Sequence, residues 1–205
     1  MLNWLKRLFG EDRILNKARI KALDEFRARA IQALDELIKD TKDPTTQELF
    51  RKMKDNVADT KIYFYPRRFL KAGMQRIGNL FLSNVVRGEH VNVIKILQIG
   101  KNRFVLRSHY INLPANYIFQ GDKLSIEGIL TLCHEYAHFP KRLISVFASK
   151  NGFSVSATEE LLADALAAKL ARKLGFSKHA ILNHFAGREF IYGAKGKKLV
   201  EKAAE

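Results

Sequence analysis

Two runs rich in β-branched and other apolar residues, NVIKILQI at 92–99 and RFVLRSHYI at 103–111, are separated only by Gly100-Lys101-Asn102. A short glycine-containing connection between such runs predicts a β-hairpin. The rest of the chain reads mainly as helix, so the hairpin has helices available to cover its apolar face. Residues 12–39 carry Ile14, Ala18, Ala22, Phe26, Ala30, Ala33 and Leu37 at helical spacing, with Asp and Arg between them. DTKDP at 40–44 ends that helix, and Pro44 opens the next, through about Val57. KIYFYP at 61–66 predicts a short strand closed by Pro66, and residues 67–86 an amphipathic helix with basic residues on its outer side. NLPAN at 112–116 breaks the second hairpin strand. From Asp122 onward the pattern is helical: 124–139, then 156–174 with Gly175 as its stop, then 177 to about 190. Helices, a small antiparallel sheet and helices again make the fold class α+β. The expected organisation is an N-terminal helical hairpin over 1–60, a main domain over 61–192 and a basic tail over 193–205.

Net charge narrows the partners. The chain carries +15, of which residues 61–120 contribute +9, residues 1–60 only +2 and residues 121–205 +4. A basic surface in the middle third would attract an anionic partner, either nucleic acid or a membrane surface. The single cysteine, Cys133, rules out an internal disulfide and suits a reducing compartment. No stretch reaches the ~20 apolar residues of a membrane span. MLNWLKRLFGEDR at the start is interrupted by Lys6 and Arg7 and has no cleavage site, so it is not a secretion signal. The expected location is cytoplasmic, with Leu2, Trp4, Leu5, Leu8 and Phe9 of residues 1–9 as a candidate peripheral membrane contact.

The chemistry centres on TLCHEYAHFP, 131–140. On a helix, His134 and His138 project from one face about one turn apart. Two imidazoles at that spacing supply two of the three protein ligands of a hydrolytic zinc site. Glu135, beside the first histidine, can reach a metal-bound water without binding the metal. An apolar stripe of Ile126, Ile129, Leu130, Cys133 and Ala137 puts the histidines at the margin of the core. The third ligand is expected in SATEELLADALAAKL, 156–170. Ser156-Ala157-Thr158-Glu159 reads as a capping box, which occupies Glu159 at the helix start and leaves Glu160 available. Asp164 lies four residues further on the same face and is placed to accept the outer N–H of a ligating histidine. That face continues through Ala167, Ala168 and Ala171, small enough for a close helix approach. His179 and His184 are the other imidazoles downstream. For stabilising an oxyanion the candidates are His179, His184, Arg188 and Tyr192. His184 is preferred, because a helix from 177 would put it on one face with Arg188.

His134-Glu135-x-x-His138 followed by Glu160-Leu-Leu-Ala163-Asp164 resembles the gluzincin zinc metallopeptidases. It is most similar to the group containing the CAAX prenyl protease and the heat-shock protease HtpX. The likeness covers about residues 120–175. A more remote similarity is to ImmA/IrrE-type proteases, which usually carry Asn where Asp164 stands. The resemblance implies a zincin-like fold with a small sheet packed on the active-site helix. It implies Zn2+ held by His134, His138 and Glu160, Glu135 as general base and Asp164 behind a ligand. A strand ahead of the helix, 103–111, would align an extended peptide substrate. The expected activity is therefore zinc-dependent hydrolysis of peptide bonds. The alternative is a basic nucleic-acid-associated protein whose zinc site is structural or degenerate.

Overall fold

A computed structural model describes residues 15–65, 89–99, 102–138 and 155–205. The expectations for residues 1–9, for the helix at 67–86 and for the last residue of the helix at 124–139 lie outside these residues. So does much of the basic middle third.

The described residues open on a helical hairpin, as the local signals require. Helix α1 is Lys17–Asp40, and the Asn16 side chain caps it by accepting from the Arg19 N–H. Helix α2 is Pro44–Asp59, with Pro44 in the first turn and the Asp43 carboxylate accepting from Thr46 N–H at 2.7 Å. The Gln47 side chain donates to the carbonyls of Ile38 and Thr41, so α2 satisfies the open end of α1. Leu23, Phe26, Ala30, Ala33 and Leu34 of α1 are buried, as are Leu49, Phe50, Met53 and Val57 of α2. The hairpin is thus continuous with the main core, and the Phe26 ring stacks on that of Tyr136, 6.5 Å between centroids.

Strands β1 (Lys61–Tyr65), β2 (Glu89–Ile99) and β3 (Asn102–Pro114) form one sheet in the order β1-β3-β2. The expected hairpin is the antiparallel β2–β3 pair, in register from Glu89↔Asn112 to Ile99↔Asn102. The sheet is not wholly antiparallel, however. β1 runs parallel to β3, with Lys61 opposite Tyr110 and Tyr65 opposite Pro114. Residue pattern gives a strand's faces but not its direction, and the long 66–88 connection permits either. β3 is therefore the central strand. The segment expected to receive a substrate already has β2 along one edge and β1 along 110–114 of the other.

A short helix α3 (Ala115–Ile118) and a two-stranded ribbon, β4 (Phe119–Gln120) with β5 (Lys123–Leu124), lead into helix α4, Ile126–Tyr136. Ser125 caps α4: its hydroxyl accepts from Gly128 N–H at 2.8 Å and donates to the Tyr117 carbonyl at 2.9 Å. A Cβ on Gly128 would lie 2.3 Å from the Ile118 carbonyl oxygen, so glycine is what lets α4 lie against α3. Beyond Gly128, residues 130–136 are all buried. The apolar stripe expected on one side holds at Leu130, Cys133 and Ala137, but Ile126 at the helix start is 56% exposed.

Helix α5, Val155–Lys173, packs against α4 and α1. Its alanine face is buried at Ala167, Ala168 and Ala171, and Leu161, Leu162, Leu166 and Leu170 cover the remaining sides. Gly175, at φ 95°, closes it as expected, with Phe176 N–H reaching back to the Ala171 carbonyl. Helix α6 is Lys178–Phe185, and α7 is Glu189–Ala203 with a break at Gly193. The expected helix through about 190 thus ends at Phe185, and a turn with Gly187 at φ 82° separates the two. The residues expected as a tail are helical, and Val200, Ala203 and Ala204 are buried. The fold is α+β, mostly helical. Among the described residues no helix is long and apolar enough to cross a membrane.

Candidate metal centre

Helix α4 brings its C-terminal turn to the buried N-terminal half of α5. His134 and Glu135 occupy the last turn of α4, 4% and 3% exposed. His138 does not continue the helix as expected. Ala137 leaves helical geometry at φ −87°, ψ 0°, and His138 follows it, still bonded from its N–H to the Glu135 carbonyl at 3.3 Å. The helical partner of the Tyr136 carbonyl would be residue 140, a proline without an N–H; instead one side chain of α2 serves it, Asn56 Nδ2 donating to the Tyr136 carbonyl at 2.9 Å and to that of His138 at 3.0 Å.

Around the two imidazoles the arrangement is nearly symmetrical. The Nε2 atoms of His134 and His138 face each other at 3.1 Å. On its far side His134 Nδ1 meets Asp164 Oδ1 at 2.7 Å, and His138 Nδ1 meets Glu159 Oε1 at 3.4 Å. With a carboxylate behind each ring favouring the proton on Nδ1, a cation between the rings would meet both Nε2 lone pairs; without one, the 3.1 Å contact is a hydrogen bond with one Nε2 protonated. The ligating atoms of His134, Glu135 and His138 all lie within 4.8 Å of one another, and Glu160 Oε2 is 3.6 Å from His134 Nε2. His134, Glu135, His138, Glu160 and Asp164, predicted from sequence, are thus brought together.

α5 already includes Val155, so Ser156 lies inside the helix and not at the cap position expected of it, and the Glu159 carboxylate comes within 3.4 Å of His138 Nδ1. The sequence signal for this was the doublet itself: adjacent helical residues are only about 100° apart, so both can flank one site.

Arg188 enters from the turn before α7. Its Nη1 lies 2.6 Å from Asp164 Oδ1, 3.3 Å from Glu160 Oε2, and against the His134 ring at 3.2 and 3.3 Å from its two nitrogens. Tyr192 donates to Asp164 Oδ2 at 3.1 Å. His184 and Arg188 do not share a helix face. His184 is buried with Nδ1 at 2.5 Å from Glu127 Oε2, on the first turn of α4, and Tyr117 donates to the same carboxylate. His179 bonds to Asn183 on an exposed surface and takes no part in the cluster. Asn56, Glu127 and the central place of Arg188 were not foreseeable, since each depends on contacts between residues far apart in the chain.

The electrostatics follow the geometry. Burial, with Arg188 nearby, holds the His134 pKa well below its usual 6.5. Burial also opposes protonation of His138, but the bond to Glu159 and the charges of Glu135 and Glu160 outweigh it, so its pKa is raised. Burial lifts Asp164 to about 6, against the pull of Arg188 and the Tyr192 hydroxyl.

The donor set fits a tetrahedral divalent cation. Two nitrogens bound at 2.0–2.1 Å with a tetrahedral angle stand about 3.3 Å apart, close to the 3.1 Å found. Two inward lone pairs need a proton or a cation between them. Among the described residues four carboxylates, Glu135, Glu159, Glu160 and Asp164, and one guanidinium, that of Arg188, lie at the site, an excess of negative charge that suits a dication. Comparison with known protein families, curated proteins and solved structures gives no match.

Proposed function

We propose that the chain is a zinc-dependent peptidase whose metal is held by His134, His138 and Glu160. The observation that carries the reading is the inward-facing Nε2 pair, each imidazole backed by its own carboxylate. Zinc bound there would lower the pKa of a water and polarise a carbonyl. Glu135, buried beside both histidines, takes a proton from the attacking water and delivers it to the leaving amine. Asp164 fixes the His134 ring, and Glu159 does the same for His138. Two groups are available to a developing oxyanion: Arg188, and His184 held by Glu127. The choice of peptide bonds as substrate rests on the resemblance of the two motifs to gluzincin peptidases.

The test measures zinc stoichiometry and cleavage of a fluorogenic peptide library by the wild type, Glu135→Gln and His138→Ala. Expected are one tightly bound zinc in the wild type and in Glu135→Gln, weak binding in His138→Ala, and cleavage by the wild type alone. Wild-type protein that binds no zinc would sink the site. Undiminished cleavage by Glu135→Gln would sink the mechanism.

A further inference from the structure

The H-E-x-x-H spacing makes a metal pair only if the backbone through the second histidine is fixed. In an uninterrupted helix the ladder of hydrogen bonds fixes it. Here α4 ends at Tyr136, and His138 lies beyond its C-cap. The Ala137 and His138 N–H groups still reach back, to the His134 and Glu135 carbonyls, but the Tyr136 and His138 carbonyls need partners of their own, and rotation there swings the His138 ring away from His134. Among the described residues one side chain lies where that constraint is needed. The Asn56 amide spans the Tyr136 and His138 carbonyls, at 2.9 and 3.0 Å, spending its two N–H bonds on both sides of the break. Asn56 is itself held by α2, whose neighbouring Val57 and Met53 are fully buried. A second tether comes from α1: Arg27 donates to the Thr60 carbonyl at 3.0 Å and to the Tyr136 hydroxyl at 3.4 Å.

We infer that Asn56 is a positioning residue for His138, and that the N-terminal hairpin is thereby a working part of the metal centre. The inference rests on the zinc reading of that centre. The hairpin then does more than pack against the core, because α2 supplies, from about 80 residues away in sequence, the two donors that stand in for the missing helical turn.

Full-length protein is titrated with zinc against a chromophoric chelator, and the thermal stability of the metal-free protein is recorded alongside. Asn56→Ala is compared with Leu49→Ala, a buried position on the same helix about 10 Å toward its start. Both variants lower metal-free stability. Only Asn56→Ala should weaken zinc binding, by about tenfold or more, the scale found for groups that orient metal ligands. Zinc affinity within twofold of wild type in Asn56→Ala, or an equal loss in Leu49→Ala, overturns the inference while leaving the zinc site intact. A wild type that binds no zinc fails the reading beneath it. If Asn56→Ala does not fold, the wild type decides. On adding one equivalent of zinc the Asn56 side-chain amide resonances in an NMR spectrum should shift, while those of Asn16, bonded to Asp122, stay in place. Unchanged Asn56 resonances refute it.

Discussion

Asp164 offers the sharpest separation of metal binding from stability. Its carboxylate is fully buried, lies 2.7 Å from His134 Nδ1, and accepts from Arg188 Nη1 at 2.6 Å and the Tyr192 hydroxyl at 3.1 Å. In Asp164→Ala both donors lose their acceptor, the His134 ring loses the carboxylate behind it, and a part-buried guanidinium loses its counter-charge. Breaking a buried pair from one side costs about 3–5 kcal/mol. Asp164→Asn differs. Its amide oxygen still accepts from Arg188 and stays behind the His134 ring, and its NH2 can donate to Tyr192, whose hydroxyl reverses role. What is lost is charge: two charge-assisted bonds become neutral, about 1 kcal/mol each. That loss is offset by no longer burying a carboxylate, so the metal-free protein should lose about 2 kcal/mol at most. Zinc affinity should still fall about 10- to 100-fold, as for other groups behind metal-bound histidines. Urea unfolding of the metal-free proteins and chelator competition measure the two effects separately. The reasoning fails if Asp164→Asn binds zinc as tightly as the wild type, or if Asp164→Ala costs under about 1 kcal/mol.

Three further outcomes follow from the same structure. Gly128→Ala should destabilise the fold by about 3 kcal/mol in urea unfolding, the upper end for overpacking, because its Cβ would lie 2.3 Å from a backbone oxygen that cannot swing aside; a change under about 0.5 kcal/mol would contradict the α3–α4 contact. Zinc binding should weaken as pH falls through the raised pKa of His138, which lies above 6.5, by tenfold per unit for the one proton that competes. His134, whose pKa is lowered, adds no second proton until further into acid, so calorimetry in two buffers of different ionisation enthalpy should report proton release that grows as the pH is lowered through the raised pKa of His138; no release refutes it. Cys133 is fully buried and its thiol pKa is raised by burial, so Ellman's reagent should react only as fast as the protein opens, and modification at the rate of a free thiol would refute that burial.

The parts legible in the sequence were those written in local signals. Pro44 and Gly175 mark helix limits through contacts within a few residues, and the β2–β3 pair followed from the short glycine-containing connection between its strands; the caps Asn16 and Ser125, which start α1 and α4 later than expected, were passed over. His134, Glu135, His138, Glu160 and Asp164 were legible because each cluster lies on one helix or at its end. The parallel pairing of β1 was not, because strand direction depends on the path of a 23-residue connection between β1 and β2. The end of α4 two residues before His138 was also hidden. Pro140 in CHEYAHFP denies the Tyr136 carbonyl its helical partner, but nothing local says what takes that partner's place, and the donors that do come from Asn56. The place of Glu159 was hidden for a related reason: a capping box and a helix already begun at Val155 differ by only a residue or two.

The order of synthesis adds a constraint of its own. The proposed metal centre draws on Asn56, on 134–138, on Glu159, Glu160 and Asp164, and on Arg188, the last of which leaves the ribosome long after the histidines. A nascent chain that has exposed both histidines but not α5 lacks Glu160. One that has α5 but not the turn at Arg188 brings four carboxylates together without that guanidinium. Local hairpins can form early, yet the centre closes only after the chain has been made past residue 188. Metal loading is therefore expected only once Arg188 is available, and a chain stopped between α5 and α7 should be a substrate for quality control instead of a metal-binding fragment.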